Sequence, residues 1–95
     1  MKVVHYLNQF FGGLGGEEHA GVGADVRDEA VGPGRLLEQV LGDDSTVVKT
    51  IVCGDNYAAE NLESVMELVV NEVRESGADL FVAGGCFAAR GYQVP

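Results

Sequence analysis

The sequence predicts an α/β fold on three observations. Short, nearly continuous apolar runs recur at Val3 to Leu7, Val47 to Cys53 and Leu80 to Ala83, amphipathic stretches at helical spacing separate them, and each run breaks into a glycine-bearing loop. Strand–helix–strand–helix–strand alternation requires parallel pairing through right-handed crossovers, and unbroken apolar strands are those covered on both faces. The expected architecture is therefore three-layered and Rossmann-like, half of a flavodoxin-like domain. Its short parallel sheet should have the first strand at the centre, in the order 2-1-3 with the three strands counted along the chain.

The 95 residues read as a single domain, with no internal repeat and no dividing linker. A domain of this length buries only about 60–65% of its unfolded surface, and three parallel strands leave two unpaired edges. Two ways of covering those edges stand open: residues 1–95 as the amino-terminal part of a longer protein, or self-association.

Lys2 to Leu7 opens the chain as the first strand and runs into Phe10 to Glu18, Phe-Phe-Gly-Gly-Leu-Gly-Gly-Glu-Glu. Four glycines in five positions allow positive φ and close backbone approach to a ligand, at an entropic cost that a plain connector does not require. In a parallel α/β sheet such a loop leaves the carboxyl end of a strand, where ligands bind. Phe11, Gly12, Gly13, Gly15 and Glu17 are accordingly candidate binding residues, with a flexible surface loop as the alternative. Glu18 stands where a dinucleotide loop would place its third glycine, and the sequence has no P-loop pattern. From Asn8 to Gly32 no periodicity is sustained.

Pro33 marks the first turn of a helix that carries Leu36, Leu37, Val40 and Leu41 and ends at Gly42. Arg35 in that first turn, beside free backbone N–H groups, suits a carboxylate or phosphate; the alternative is a solvated side chain. Val47 to Cys53 is the second strand, broken by the turn-forming Gly54-Asp55-Asn56-Tyr57. Leu62, Val65, Met66, Val69 and Val73 then form the apolar stripe of a second helix ended by Gly77, with Glu60, Glu63, Glu67 and Glu72 as solvated positions. Leu80 to Ala83 is the third strand, followed by Gly84, Gly85, Cys86 and, further on, Arg90. The loops Phe10 to Glu18, Gly54 to Tyr57 and Gly84 to Arg90 should form one rim.

Composition narrows the function. Six basic against fifteen acidic residues give a net charge of −9 and a pI near 4.4, which argues against nucleic acid or an anionic membrane as partner. No apolar run approaches a membrane span or a signal segment, so the reading is a cytoplasmic chain. The two cysteines lack metal or redox spacing and read as free thiols in a reducing compartment. Cys53, inside a strand, reads as a small buried hydrophobe. Cys86, behind two glycines at a strand end, stands where a thiol can be acidic and exposed, and is the one candidate catalytic nucleophile; a packing role is the alternative. His5 and His19 are too far apart to suggest a metal pair, and no metal is expected.

Several motifs together resemble the amino-terminal part of selenoprotein B of the glycine, sarcosine, betaine and D-proline reductases. They are Val3-Val4-His5-Tyr6-Leu7-Asn8-Gln9-Phe10-Phe11-Gly12-Gly13, Gly32-Pro33-Gly34-Arg35, Cys53-Gly54-Asp55-Asn56-Tyr57 and Ala83-Gly84-Gly85. The resemblance covers almost the whole chain in order and implies an oxidoreductase subunit that cleaves a C–N bond reductively in an anaerobic, amino-acid-fermenting bacterium. It implies no cofactor within these residues, the family's selenocysteine lying downstream of the matched region. Where the family typically continues with Gly-Pro-Ala-Phe-Asn-Ala-Gly-Arg-Tyr-Gly, this chain has Gly84-Gly85-Cys86-Phe87-Ala88-Ala89-Arg90-Gly91-Tyr92. The expected ligand is a small or N-methylated amino acid, with Arg35 on its carboxylate and Asp55 or Glu17 on its cationic nitrogen. The expected partners are other reductase subunits or further copies of the chain. A non-catalytic oligomerisation or subunit-docking module is the alternative function.

Overall fold

The structure, a computed structural model, describes residues 1–84. Its centre is β1, Lys2–Asn8, which pairs in parallel with β3, Thr46–Cys53, on one side and β4, Leu80–Ala83, on the other. The apolar runs that predict β1 and β3 are buried as expected of a covered sheet, Val3, Val4, Leu7, Ile51, Val52 and Cys53 all being inaccessible, whereas in β4 only Val82 is buried.

The expected three-stranded, wholly parallel Rossmann-like sheet is corrected to a small mixed sheet of four strands: the three expected strands stand as β3-β1-β4, the relative order 2-1-3, but an unexpected antiparallel strand joins outside them. The order is β2-β3-β1-β4, and β2, Asp25–Arg27, pairs antiparallel with β3 through Asp25 with Val52, Val26 with Ile51 and Arg27 with Thr50. Three residues, two of them charged, carry no periodicity, so this strand exists through its pairing and not through local propensity. It covers one of the two edges that three parallel strands would leave open. A short ion pair, Lys49 Nζ to Asp28 Oδ1 at 2.5 Å, and the bond from Thr50 Oγ1 to Glu29 O at 2.6 Å hold the chain just after it.

The helices follow their sequence signals closely. α1, Pro33–Leu41, begins with the proline at its amino end and ends at Gly42, whose N–H bonds Glu38 O. Leu37 and Leu41 pack with Ala30 and Leu80 on the buried cluster of Val3, Val47 and Val82, and Glu38 Oε2 accepts the Val47 N–H at 2.7 Å. α2, Asp55–Glu60, replaces the simple turn expected at Gly54 to Tyr57; Asp55 in its first turn matches the helix dipole. α3, Leu62–Ser76, closes on Gly77 at φ 71°, the left-handed conformation that glycine adopts freely. It lies on the opposite face from α1, beside Tyr6, Phe81 and Ala83. Of its stripe only Val65 is buried, whereas Leu62 and Met66, expected in the core, are exposed.

Ile51 sits where β2, β3 and β1 meet, at zero exposure. Ile51→Ala should cost about 2–5 kcal/mol and Ile51→Val about 0.5–1.5 kcal/mol, read as shifts of the urea midpoint at unchanged slope.

Candidate functional site

β1, β3 and β4 run parallel, so their carboxyl ends Asn8, Cys53 and Ala83 share one margin of the sheet. Two side chains at the end of β1 organise that margin. Asn8 Oδ1 accepts the Phe11 N–H at 2.9 Å while its Nδ2 donates to Asp55 Oδ2 at 3.2 Å. Gln9, almost wholly buried, accepts the Asp55 N–H on Oε1 at 3.0 Å, and its backbone oxygen takes the N–H groups of Leu14 and Gly15 at 2.8 and 3.3 Å. The glycine loop is thereby bonded to the start of α2.

The remainder of the loop is tied equally closely. Ala20 O accepts the N–H groups of Asn56 and Tyr57, and Val22 O accepts that of Gly54. Gly54 has no room for a side chain, since a Cβ there would stand 2.3 Å from Ala20 O. At Gly12 a Cβ would lie 2.3 Å from Val52 Cγ1. Close approach of two backbones and a core side chain, more than flexibility, explains these glycines.

Phe10 and Phe11 are both exposed and meet edge to face, their centroids 5.1 Å apart at 80°. Gly13 and Gly15 take positive φ, 85° and 134°, and Glu17 lies exposed in a single 3-10 turn, Glu17–His19. Asp55 and Asn56 are exposed at the start of α2, and Tyr57 is half-buried against Gly23. Arg35 is exposed in the first turn of α1, with no hydrogen bond or ion pair from its side chain among the described residues. The turn that carries it abuts the loop, because a Cβ on Gly32 would come within 2.8 Å of Phe11 O. Gly84 ends β4 at φ 114° with its N–H on Tyr6 O. Gly85, Cys86 and Arg90 lie outside the described residues.

The structure thus links Phe11 to Asp55 through the Asn8 side chain and Asn56 and Tyr57 to the loop through Ala20 O, packs Gly12 on Val52, and sets Arg35 near Phe11 by its turn, with no bond from its side chain among the described residues. Sequence reasoning passed over Asn8 and Gln9, although two consecutive amides at a strand end, just ahead of a glycine-rich loop, are a signal for loop anchoring. His5 was also passed over as a site residue. Its Nε2 donates to Gly84 O at 2.7 Å, a carbonyl being an acceptor only, which leaves Nδ1 a buried acceptor with no partner among the described residues. A Cβ on Gly34 would lie 3.1 Å from that nitrogen, so the ring is wedged between the start of α1 and the end of β4.

Burial pushes His5 below the usual histidine range, opposed by its bond to Gly84. Burial likewise raises the Cys53 thiol, with Asp55 adding to the rise and the bond from Tyr6 opposing it, so Cys53 is a neutral thiol at neutral pH. Tyr6 is raised by burial first, then by Cys53 and Asp55, and keeps its proton.

The margin gathers amide, carboxylate and aromatic groups at one end of a small mixed α/β sheet, and comparison with known proteins gives the family. The model of the glycine/sarcosine/betaine reductase selenoprotein B family matches residues 1–95, and the chain belongs to that family. It is 52% identical over 92 residues to the glycine reductase complex component B subunit gamma of Symbiobacterium thermophilum, covering 97% of this chain and 21% of that protein. It is 46% identical over 94 residues to the sarcosine reductase complex component B subunit beta of Peptoclostridium acidaminophilum, covering 99% of this chain and 22% of the relative. The betaine reductase complex component B subunit beta of the same organism is 34% identical over 93 residues, 98% of this chain and 21% of its own length. The chain therefore spans about a fifth of the length of these relatives. No solved structure matches.

Gly12→Ala should cost about 1–3 kcal/mol through collision with Val52, and Gly12→Asn at least as much. Gly13, with open space around its Cβ but positive φ, should lose roughly 1–2 kcal/mol as Ala and less as Asn, which tolerates that region; thermal melts of the four variants check the order. Because the folded-state pKa of His5 lies below its unfolded value of about 6.5, the unfolded chain binds the extra proton as pH falls. The His5 contribution should be flat above that pH and decline below it, so the stability difference between wild type and His5→Gln, measured by urea unfolding from pH 7.5 to 5, should narrow as pH drops.

Proposed function

We propose that these residues form part of the substrate-binding rim of a reductase B subunit, for reductive C–N cleavage of glycine, sarcosine or betaine. The observation that carries the reading is the Asn8 side chain, which bridges the Phe11 amide and the Asp55 carboxylate and so fixes an exposed carboxylate beside an exposed aromatic pair. A carboxylate and an aromatic face together suit a cationic nitrogen, whether primary, N-methylated or quaternary. That range of methylation matches the substrates for which the relatives are named. Arg35 supplies a guanidinium for the ligand carboxylate, with the Gly32 turn holding it next to the loop.

Within this reading the described residues bind and orient the ligand. Cys53, neutral and buried, takes no part in bond breaking; Cys86 remains the candidate nucleophile of this chain, and the family's selenocysteine belongs to the region downstream. The other subunits of the complex are its macromolecular partners, as the naming of the relatives as complex components supports.

The test is a titration of the chain with glycine, sarcosine and betaine followed by amide NMR. Millimolar binding, about −4 kcal/mol, should move the Phe11, Gly12, Asp55 and Asn56 amides and the Asn8 side-chain signals, and Asp55→Asn should abolish the shifts. Arg35→Gln should weaken betaine but leave choline, which lacks the carboxylate, unchanged. Saturating betaine that leaves these signals in place would overturn the assignment.

A further inference from the structure

The second amphipathic helix leaves uncovered much of the stripe that its sequence builds. Leu62, Met66 and Val70 recur every four residues on α3 and are 57%, 56% and 48% exposed; Phe81 of β4, on the same side, is 39% exposed. With Tyr6 and Ala83 they line an open, almost wholly apolar groove of about 380 Å³ between α3 and the β4 margin of the sheet. A contiguous patch of this kind marks an interaction site. Glu63 and Glu67, one turn apart, flank the patch on its far side.

The handedness of the fold says what fits there. β3 and β4 lie on opposite sides of β1, and the helices that connect to them, α1 and α3, lie on opposite faces, as right-handed crossovers require. A further parallel strand beyond β4 continues in the direction of the β3-to-β4 step, so its crossover helix must fall on the α3 face. That is the face with the groove. The relatives have about four-fifths of their length outside the matched region, ample for such a unit.

We propose that the groove between α3 and β4 seats an amphipathic α-helix from the portion of a reductase B subunit that follows the region matched here. Its apolar stripe packs on Leu62, Met66, Val70 and Phe81, and lysine or arginine residues on its flank face Glu63 and Glu67. The inference concerns a face of the sheet and not its ligand-bearing margin, and is independent of the substrate reading.

Single cysteines at Met66, Val70 and, as a control, Asp43 in the turn after α1 are alkylated with iodoacetamide, each site being read by peptide mass. They are compared in the 95-residue chain alone, in the chain continued into the Symbiobacterium thermophilum gamma-subunit sequence beyond its matched 92 residues, and with that polypeptide added separately. Labelling at 66 and 70 should slow by about tenfold or more in the continued chain, in the separate mixture, or in both, with position 43 unchanged. Val70→Glu should restore fast labelling at 66. Equal rates at 66 and 70 in every format would overturn the proposal. So would protection in the 95-residue chain alone with a dimer mass in sedimentation, which would make a second copy the occupant.

Discussion

The margin of the sheet depends on two amide side chains at the end of its central strand. Asn8 and Gln9 reach across the space between the glycine loop and the start of α2, and between them satisfy two backbone N–H groups and a carboxylate oxygen. Gln9 is almost wholly buried, so its polar atoms would cost free energy without partners, and the bonds to Asp55 N and Gly16 O remove that cost. A loop with four glycines is entropically expensive to fix. Here the expense is offset by a set of bonds that leaves Phe10, Phe11 and Asp55 exposed on an otherwise braced scaffold.

The elements with strong local signals were legible in the sequence. Pro33 and Gly42 bracket α1, Gly77 ends α3, and unbroken valine-rich runs mark β1 and β3, because proline, glycine and β-branched residues act through their own backbone preferences. What was not legible arises between segments distant in sequence. β2 has no pattern of its own and is held by Thr50, Ile51 and Val52, while α2 grows from residues whose chemistry equally suits a turn. For the site, the glycines and Asp55 carried visible signals, but their anchoring by Asn8 and Gln9, and the wedging of His5 against Gly34 and Gly84, are tertiary facts. The family resemblance rested on these same motifs, and the family match extends over all of them.

The two helices show how far periodicity determines burial. Both carry an apolar stripe at the expected spacing, yet on α1 Leu37 and Leu41 pack while Leu36 and Val40 are exposed, and on α3 only Val65 is buried. Spacing specifies which side chains share a face. What lies against that face depends on the rest of the assembly, so exposed leucine, methionine and valine on α3 carry information about a neighbour that a stripe pattern alone does not.

Placing the first strand at the centre also governs how the chain must fold. β1 leaves the ribosome before all its partners, but Lys2 pairs with Thr46 and Val3 with Leu80, so no parallel neighbour exists until most of these residues have been synthesised. Long loops must close before the central strand gains a single ladder bond, which makes folding slow for the size of the domain. During that interval an apolar segment containing Val3, Val4 and Leu7 is open to strands of other nascent chains. The seven residues of β1 are thus both the keystone of the sheet and an aggregation hazard during synthesis, and Lys2, His5 and Asn8 are the polar breaks within them.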